Sequence, residues 1–174
     1  MMDAHERERP RPGAINITVK SPDRSVTARY SVHDGVKLLI DANSMVRHDE
    51  QTLAGQITAA ILGIQTGFSR AFEAMNPASG GREDVVDNPS RRETPTHVIP
   101  VSVTSPSGCV HACLTAAGEP RFGIRPGTLR RRGISPSALA DEVTSAYRAL
   151  QNEYVSEVKR SQHVRDETTG MTPR

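Results

Sequence analysis

Apolar and polar residues alternate along two short stretches near the start of the chain, and an apolar run follows them. Ile15, Ile17 and Val19 are separated by polar residues, the period of a strand with one buried face. Val26, Ala28, Tyr30 and Val32 repeat that pattern, and Val36 to Ile40 forms a third strand. The connections are short, so the pattern predicts antiparallel hairpins. Ser21-Pro22-Asp23-Arg24 puts Pro at the second position of a turn. Asp34-Gly35 predicts a type I′ turn, which needs positive φ. The period then changes. Leu53, Ile57, Ile61, Ile64, Phe68, Phe72 and Met75 step by four or three, one apolar stripe on a helix that Asp49 can cap. About 27 residues at 1.5 Å each make a rod roughly 40 Å long. That outruns a three-stranded sheet, so the far end of the helix needs another partner.

The same order returns further on. VKSPDRSVTARYSVHDGVKLLI at 19–40 aligns with VTSPSGCVHACLTAAGEPRFGI at 103–124, at an offset of 84. Val19 meets Val103, Ser21 meets Ser105, Pro22 meets Pro106, Ala28 meets Ala112 and Ile40 meets Ile124. Two extra residues then move the offset to 86. Leu53-Ala54 meets Leu139-Ala140, Ile57 meets Val143, Ile64 meets Leu150 and Phe68 meets Tyr154. Apolar positions match in order and phase over about 55 residues, the signature of an internal repeat. In the second copy Ser135 is the cap and Pro136 the first helical residue, a favourable pairing. Leu139, Val143, Tyr147, Leu150, Tyr154 and Val158 form the second stripe.

The expected architecture is α+β, with two β-β-β-α repeats. A unit this small buries little area alone. Two copies covering each other about a pseudo-two-fold axis would form an intramolecular pseudo-dimer with long helices. Residues 14–75 and 97–160 are the two repeats. Residues 1–13, charged and without apolar periodicity, read as a disordered N-terminus. Residues 76–96, with three Pro and two Gly, read as a flexible linker. Residues 161–174 read as a disordered tail.

Composition narrows the function. The chain has 174 residues, 22 Lys plus Arg and 20 Asp plus Glu, for a net charge of +2. It is therefore not a strongly basic neutraliser of nucleic acid as a whole. The halves differ, however. Residues 1–96 carry 12 basic and 13 acidic residues, and residues 97–174 carry 10 and 7. A positive patch belongs in the second half. Two Cys exclude a disulfide scaffold and a four-Cys zinc site. No apolar run approaches the roughly 20 residues that span a bilayer. MMDAHERERPRPG has no apolar core of a signal peptide, so a cytoplasmic location with no membrane partner is expected.

Few residues announce chemistry. There is no HExxH, P-loop, dinucleotide glycine fingerprint or nucleophile elbow, so the expectation is a non-enzyme without cofactor. Cys109, His111 and Cys113 invite a metal reading. On a strand they share one face, with the outer pair roughly 13 Å apart. Ligands of one zinc lie far closer together, so structural placement is expected and no metal. The sharpest charged feature is RFGIRPGTLRRRG, 121–133. It gathers Arg121, Arg125, Arg130, Arg131 and Arg132 without an acid. Arg clusters on loops suit phosphate oxygens, while the plain alternative is a solvated edge or pairing with helix acids. Phe68, Phe72, Tyr147, Tyr154 and Phe122 are expected in the core. Gly63 and Gly67, four apart on the first helix, mark either close helix approach or a weak spot.

Strands joined by Gly-containing turns, an I-x-P-G-x-L-R link, and a helix opening L-A-x-E resemble the YbaB/EbfC nucleoid-associated family. The resemblance is clearest over SGCVHACLTAAGEPRFGIRPGTLRRRGISPSALADEVTSAYRAL, 107–150. SVTARYSVHDGVKLLIDANSM with QTLAGQITAAI is similar more loosely, and about 120 residues are covered. Similar segments occur in actinobacterial proteins associated with type VII secretion. The resemblance implies a homodimeric, non-enzymatic, cytoplasmic nucleoid protein that binds DNA with little sequence preference. Two departures stand out. The family's N-terminal helix has no counterpart in residues 1–13, and the family dimerises between chains. The DNA-binding residues expected are Arg121, Arg125, Arg130, Arg131 and Arg132. The alternative is a protein-interaction module, an accessory factor of type VII secretion, with further homo-oligomers open. Tyr147 and Tyr154 are followed four residues on by Gln151 and Val158, so the secretion signal of that route is not matched.

Overall fold

The computed structural model describes residues 15–75, 99–130 and 134–169. The protein is mixed α+β. β1 (Asn16–Lys20), β2 (Val26–Ser31) and β3 (Gly35–Ile40) form one antiparallel sheet in that order. A short α1 (Ser44–Arg47) leads into α2 (Glu50–Met75). β4 (Ser102–Thr104), β5 (Val110–Leu114) and β6 (Pro120–Ile124) form a second antiparallel sheet, followed by α3 (Pro136–Thr169).

The two sheets share one register. Advancing a pair in the first sheet by 84 gives a pair in the second. Val19↔Ala28 becomes Val103↔Ala112, Ala28↔Leu38 becomes Ala112↔Phe122, and Val26↔Ile40 becomes Val110↔Ile124. The turns repeat as well. Arg24 N–H donates to Ser21 O at 2.9 Å, and Gly108 N–H to Ser105 O at 2.9 Å. The Ser21 and Ser105 hydroxyls accept from Val26 and Val110 N–H at 3.0 and 3.1 Å. The turn demands a left-handed residue, which is Gly108 (φ +72°) in one sheet and Arg24 (φ +64°) in the other. Both long helices are capped as their sequences predict. Asp49 Oδ1 accepts from Thr52 N–H at 2.7 Å, and Ser135 Oγ from Ala138 N–H at 3.0 Å.

The helices do not stay with their own sheets. α2 packs on β1 and β2 and reaches β6, while α3 packs on β4 and β5 and reaches β3. One buried cluster therefore takes side chains from both halves, including Leu53, Ile57 and Ile61 of α2 and Leu139, Val143 and Leu150 of α3. Polar bonds cross with it. Thr58 Oγ1 accepts from Phe122 N–H at 3.2 Å, and Arg148 donates to Asp34 O at 3.2 Å.

Several expectations need correction. The β2–β3 connection is not type I′: Ser31 pairs with Gly35, leaving a three-residue loop, 32–34, of ordinary φ, and the left-handed residue is Gly35 at the start of β3. Phe68 and Phe72 are 40% and 56% exposed, because α2 runs past the sheets that cover its first turns; Phe122 and Tyr147 are buried as expected. Gly63 and Gly67 do permit close approach, but of a strand. A Cβ on Gly63 would fall 2.5 Å from Val19 Cγ1, and one on Gly67 2.9 Å from Ile17 Cγ2. α3 continues to Thr169, well into the segment expected to be a tail. Neither Gly nor Pro interrupts the chain between Pro136 and Gly170, so nothing stops the helix earlier. Residues 1–13, 76–96 and 170–174, to which disorder was assigned, lie outside the described residues.

Candidate nucleic-acid interface

Arg121 stands on β6 between buried Pro120 and Phe122, so strand alternation turns it outward. Its cross-strand neighbour is Cys113. Arg125 follows the strand, its N–H held by Cys109 O at 2.8 Å. The chain then turns through Gly127 at φ +79°, and Thr128 buries its side chain. Leu129 N–H donates to Glu50 Oε1 at 3.3 Å, which ties this loop to the start of α2 and leaves Arg130 exposed beside it. Glu50's carboxyl is held below its usual range. Its own backbone N–H contributes most; desolvation opposes, and the N–H groups of Leu129 and Gly127 and the nearby charge of Arg130 add to the lowering.

Arg121, Arg125 and Arg130 are all exposed, and among the described residues no ion pair engages them. Arg131 and Arg132, the other two expected contacts, lie outside the described residues. The three described guanidiniums lie along one stretch after β5, each with donors free for phosphate oxygens. The comparable region of the first half is neutralised: Arg47 pairs with Asp41 at 3.1 Å.

The strands themselves carry a signal that the linear sequence hides. None of the strands among the described residues contains Asp or Glu, although the chain has 20. The exposed bases Lys20, Arg29 and Lys37 all face away from the helices on the first sheet. They are scattered along 18 positions of sequence, and only the strand register brings them to one surface.

Cys109 is buried, 3% exposed, at the end of the turn before β5, with Sγ 3.9 Å from Glu142 Oε2. It does not share the outer face with exposed His111 and half-buried Cys113, as strand alternation alone predicts, because it precedes the strand. Among the described residues no three His, Cys, Asp or Glu side chains are grouped to hold a metal. The turn–helix contacts beside it differ between the halves. In the second, Glu142 accepts from Ser107 Oγ at 2.7 Å and Ser107 N–H at 3.1 Å. Burial works against its ionisation, but the Ser105 and Ser107 donors and Cys109 outweigh that and lower its pKa. In the first, the carboxylate sits on the turn instead. Asp23 accepts from Ser25 Oγ at 2.7 Å, Ser25 N–H at 2.9 Å and Ser21 Oγ at 2.8 Å, and α2 supplies neutral Gln56. His48 Nε2 lies 2.7 Å from its other oxygen. Desolvation opposes, yet these donors and His48 bring Asp23 down to about 2.

Two clefts flank the line between α2 and α3. One, about 440 Å³, is lined by Tyr30, Val36, Ile64, Phe68, Gln65 and Gln151 among others. The other, about 200 Å³, is lined by Leu114, Pro120, Leu150, Tyr154, Gln151 and Gln65. Tyr30 and Val36 of the first correspond to Leu114 and Pro120 of the second at offset 84, and Ile64 and Phe68 to Leu150 and Tyr154 at offset 86. Tyr147 lines both; burial raises its phenol pKa, against a hydrogen bond with Gln65.

Comparison with protein-family models, with curated proteins and with solved structures finds no match to this chain. Among the described residues no helix is long and apolar enough to cross a membrane.

Proposed function

We propose that this is a non-enzymatic, YbaB/EbfC-like nucleoid protein that binds the DNA backbone with little sequence preference. Its two β-β-β-α repeats form an intramolecular pseudo-dimer. The shared strand register, the helices that reach across to the opposite sheet and the paired clefts all support that arrangement. The observation that carries the DNA reading is the set of Arg121, Arg125 and Arg130, exposed and free of ion pairs among the described residues. Glu50, the carboxylate beside Arg130, is engaged chiefly by backbone N–H groups and makes no ion pair with the set, though its charge lies near Arg130.

Backbone binding releases counterions, with a salt slope of about 0.9 per phosphate contacted. Three contacts imply that affinity falls about 40-fold between 50 and 200 mM salt. Fluorescence anisotropy with a mixed-sequence duplex measures this directly. Replacing Arg121, Arg125 and Arg130 by Ala should reduce the slope by up to about 2.7. An unchanged slope, or no binding by the native chain at either salt, overturns the reading.

The clefts near the outer ends of the helices favour a second reading, a protein-interaction module of the type VII accessory kind. Phe68 and Tyr154 line them, and Val155 nearby is 50% exposed. That reading predicts partner binding with modest salt dependence.

A further inference from the structure

The outer face of the first sheet has a composition that stability alone does not explain. Two of its rows, read across β1, β2 and β3, are Thr18–Arg29–Lys37 and Lys20–Thr27–Leu39; a third is Asn16–Ser31–Gly35. Arg29 and Lys37 are direct cross-strand partners about 5 Å apart, and like charges in that relation are destabilising. Lys20 adds a third base one row away. No acid lies in these three strands; Asp34, in the β2–β3 loop, pairs with Lys37 Nζ at 2.8 Å, whereas Lys20 and Arg29 make no ion pair among the described residues. Between the bases stand Thr18, Thr27 and Asn16, hydrogen-bonding groups suited to phosphate oxygens; the Ser31 hydroxyl is taken up by Asp34, to which it donates at 3.1 Å. Leu39, 52% exposed, is the one large apolar side chain on the face. Tyr30 points the other way and packs edge-on against Phe68. The face therefore offers cations and hydroxyls but no aromatic ring for stacking an unpaired base.

We infer that this face, through Lys20, Arg29 and Lys37, is a second phosphate-contacting surface for duplex DNA, separate from the loop that carries Arg125 and Arg130. The inference rests on the DNA reading above and adds a site to it. The two places together hold six cationic side chains drawn from both halves of the chain, of which Lys37 is already paired with Asp34.

The test uses the full chain and the mixed-sequence duplex. Lys20, Arg29 and Lys37 are all exposed, so the triple Ala variant should keep the native circular dichroism spectrum. Its salt slope should fall by up to about 2.7, and its affinity at 50 mM salt by tenfold or more. A second variant, Arg29→Thr, removes the like-charge pair with a good strand former. It should melt at or above the native temperature while its salt slope drops by about 0.9. That split between stability and binding is not produced by a structural role. Native affinity and slope in both variants, while the Arg121/Arg125/Arg130 variant loses binding, overturn this inference and leave the proposed function standing. Absence of binding by the native chain overturns both.

Discussion

Gly63→Ala and Gly55→Ala are the same substitution on the same helix, and the structure assigns them opposite signs. Both residues lie inside α2, where replacing Gly by Ala favours the helix by about 1 kcal/mol. Around Gly55 an added Cβ meets nothing within 4 Å. Gly55→Ala should therefore stabilise by about 0.5–1 kcal/mol. At Gly63 the new methyl would sit 2.5 Å from Val19 Cγ1 and 3.4 Å from its Cβ. Val19 cannot swing aside easily, since a β-branched side chain is stiff at χ1 and β1 is held in register with β2. Overpacking of this kind costs about 1–3 kcal/mol. Set against the helix gain, the net is a loss of up to about 2 kcal/mol. For a chain of this size, that lowers the melting temperature by up to roughly 8 °C. Thermal and urea unfolding of both variants measure the difference. Val19→Ala in the Gly63→Ala background should recover part of the loss, with a coupling of at least about 0.5 kcal/mol. If Gly63→Ala stabilises as Gly55→Ala does, the close approach of β1 to α2 is wrong.

Two further outcomes follow from the turns. Arg24→Gly should stabilise by about 1 kcal/mol and Gly108→Ala should destabilise by a similar amount, read by urea unfolding, because the same turn position is left-handed in both sheets. Asp23 has a folded pKa of about 2 against 3.8 in the unfolded chain, so its stabilising contribution is present above pH 4 and is lost as pH falls toward 2. Asp23→Asn should flatten that part of the stability–pH curve, and an unchanged acid limb would refute the assignment.

Much of the architecture was legible because two periods carry it. Alternation marked the strands, and the step of three or four marked α2 and α3. The caps at Asp49 and Ser135 followed from residue type alone, since only short polar side chains reach the free N–H groups of a first turn. The misses have a common cause in tertiary geometry. The stripe through Phe68 and Phe72 says which side of α2 is apolar but not where the covering sheet ends. Gly63 and Gly67 announce a close neighbour without saying that it is a strand. Lys20, Arg29 and Lys37 look unrelated until register places them together. α1 is only one turn long, too short to show a period. Of the candidate site, Arg121, Arg125 and Arg130 were visible as a run, whereas Glu50's hold on the loop joins residues 79 positions apart.

The placement of the two turn–helix carboxylates bears on how the chain avoids misassembly. Each hairpin faces two helices with similar apolar stripes, which differ at points such as Gly63 against Ala149. The polar contacts separate them further. On α3 the first turn would set Asp23 against Glu142, two carboxylates contending for the same serine donors. On α2 the second turn would leave Ser107 and Cys109 facing Gln56, with no anion to receive their hydrogens. The native pairing matches one carboxylate to one set of donors at each end, so the position of the carboxylate distinguishes each turn's own helix from the other.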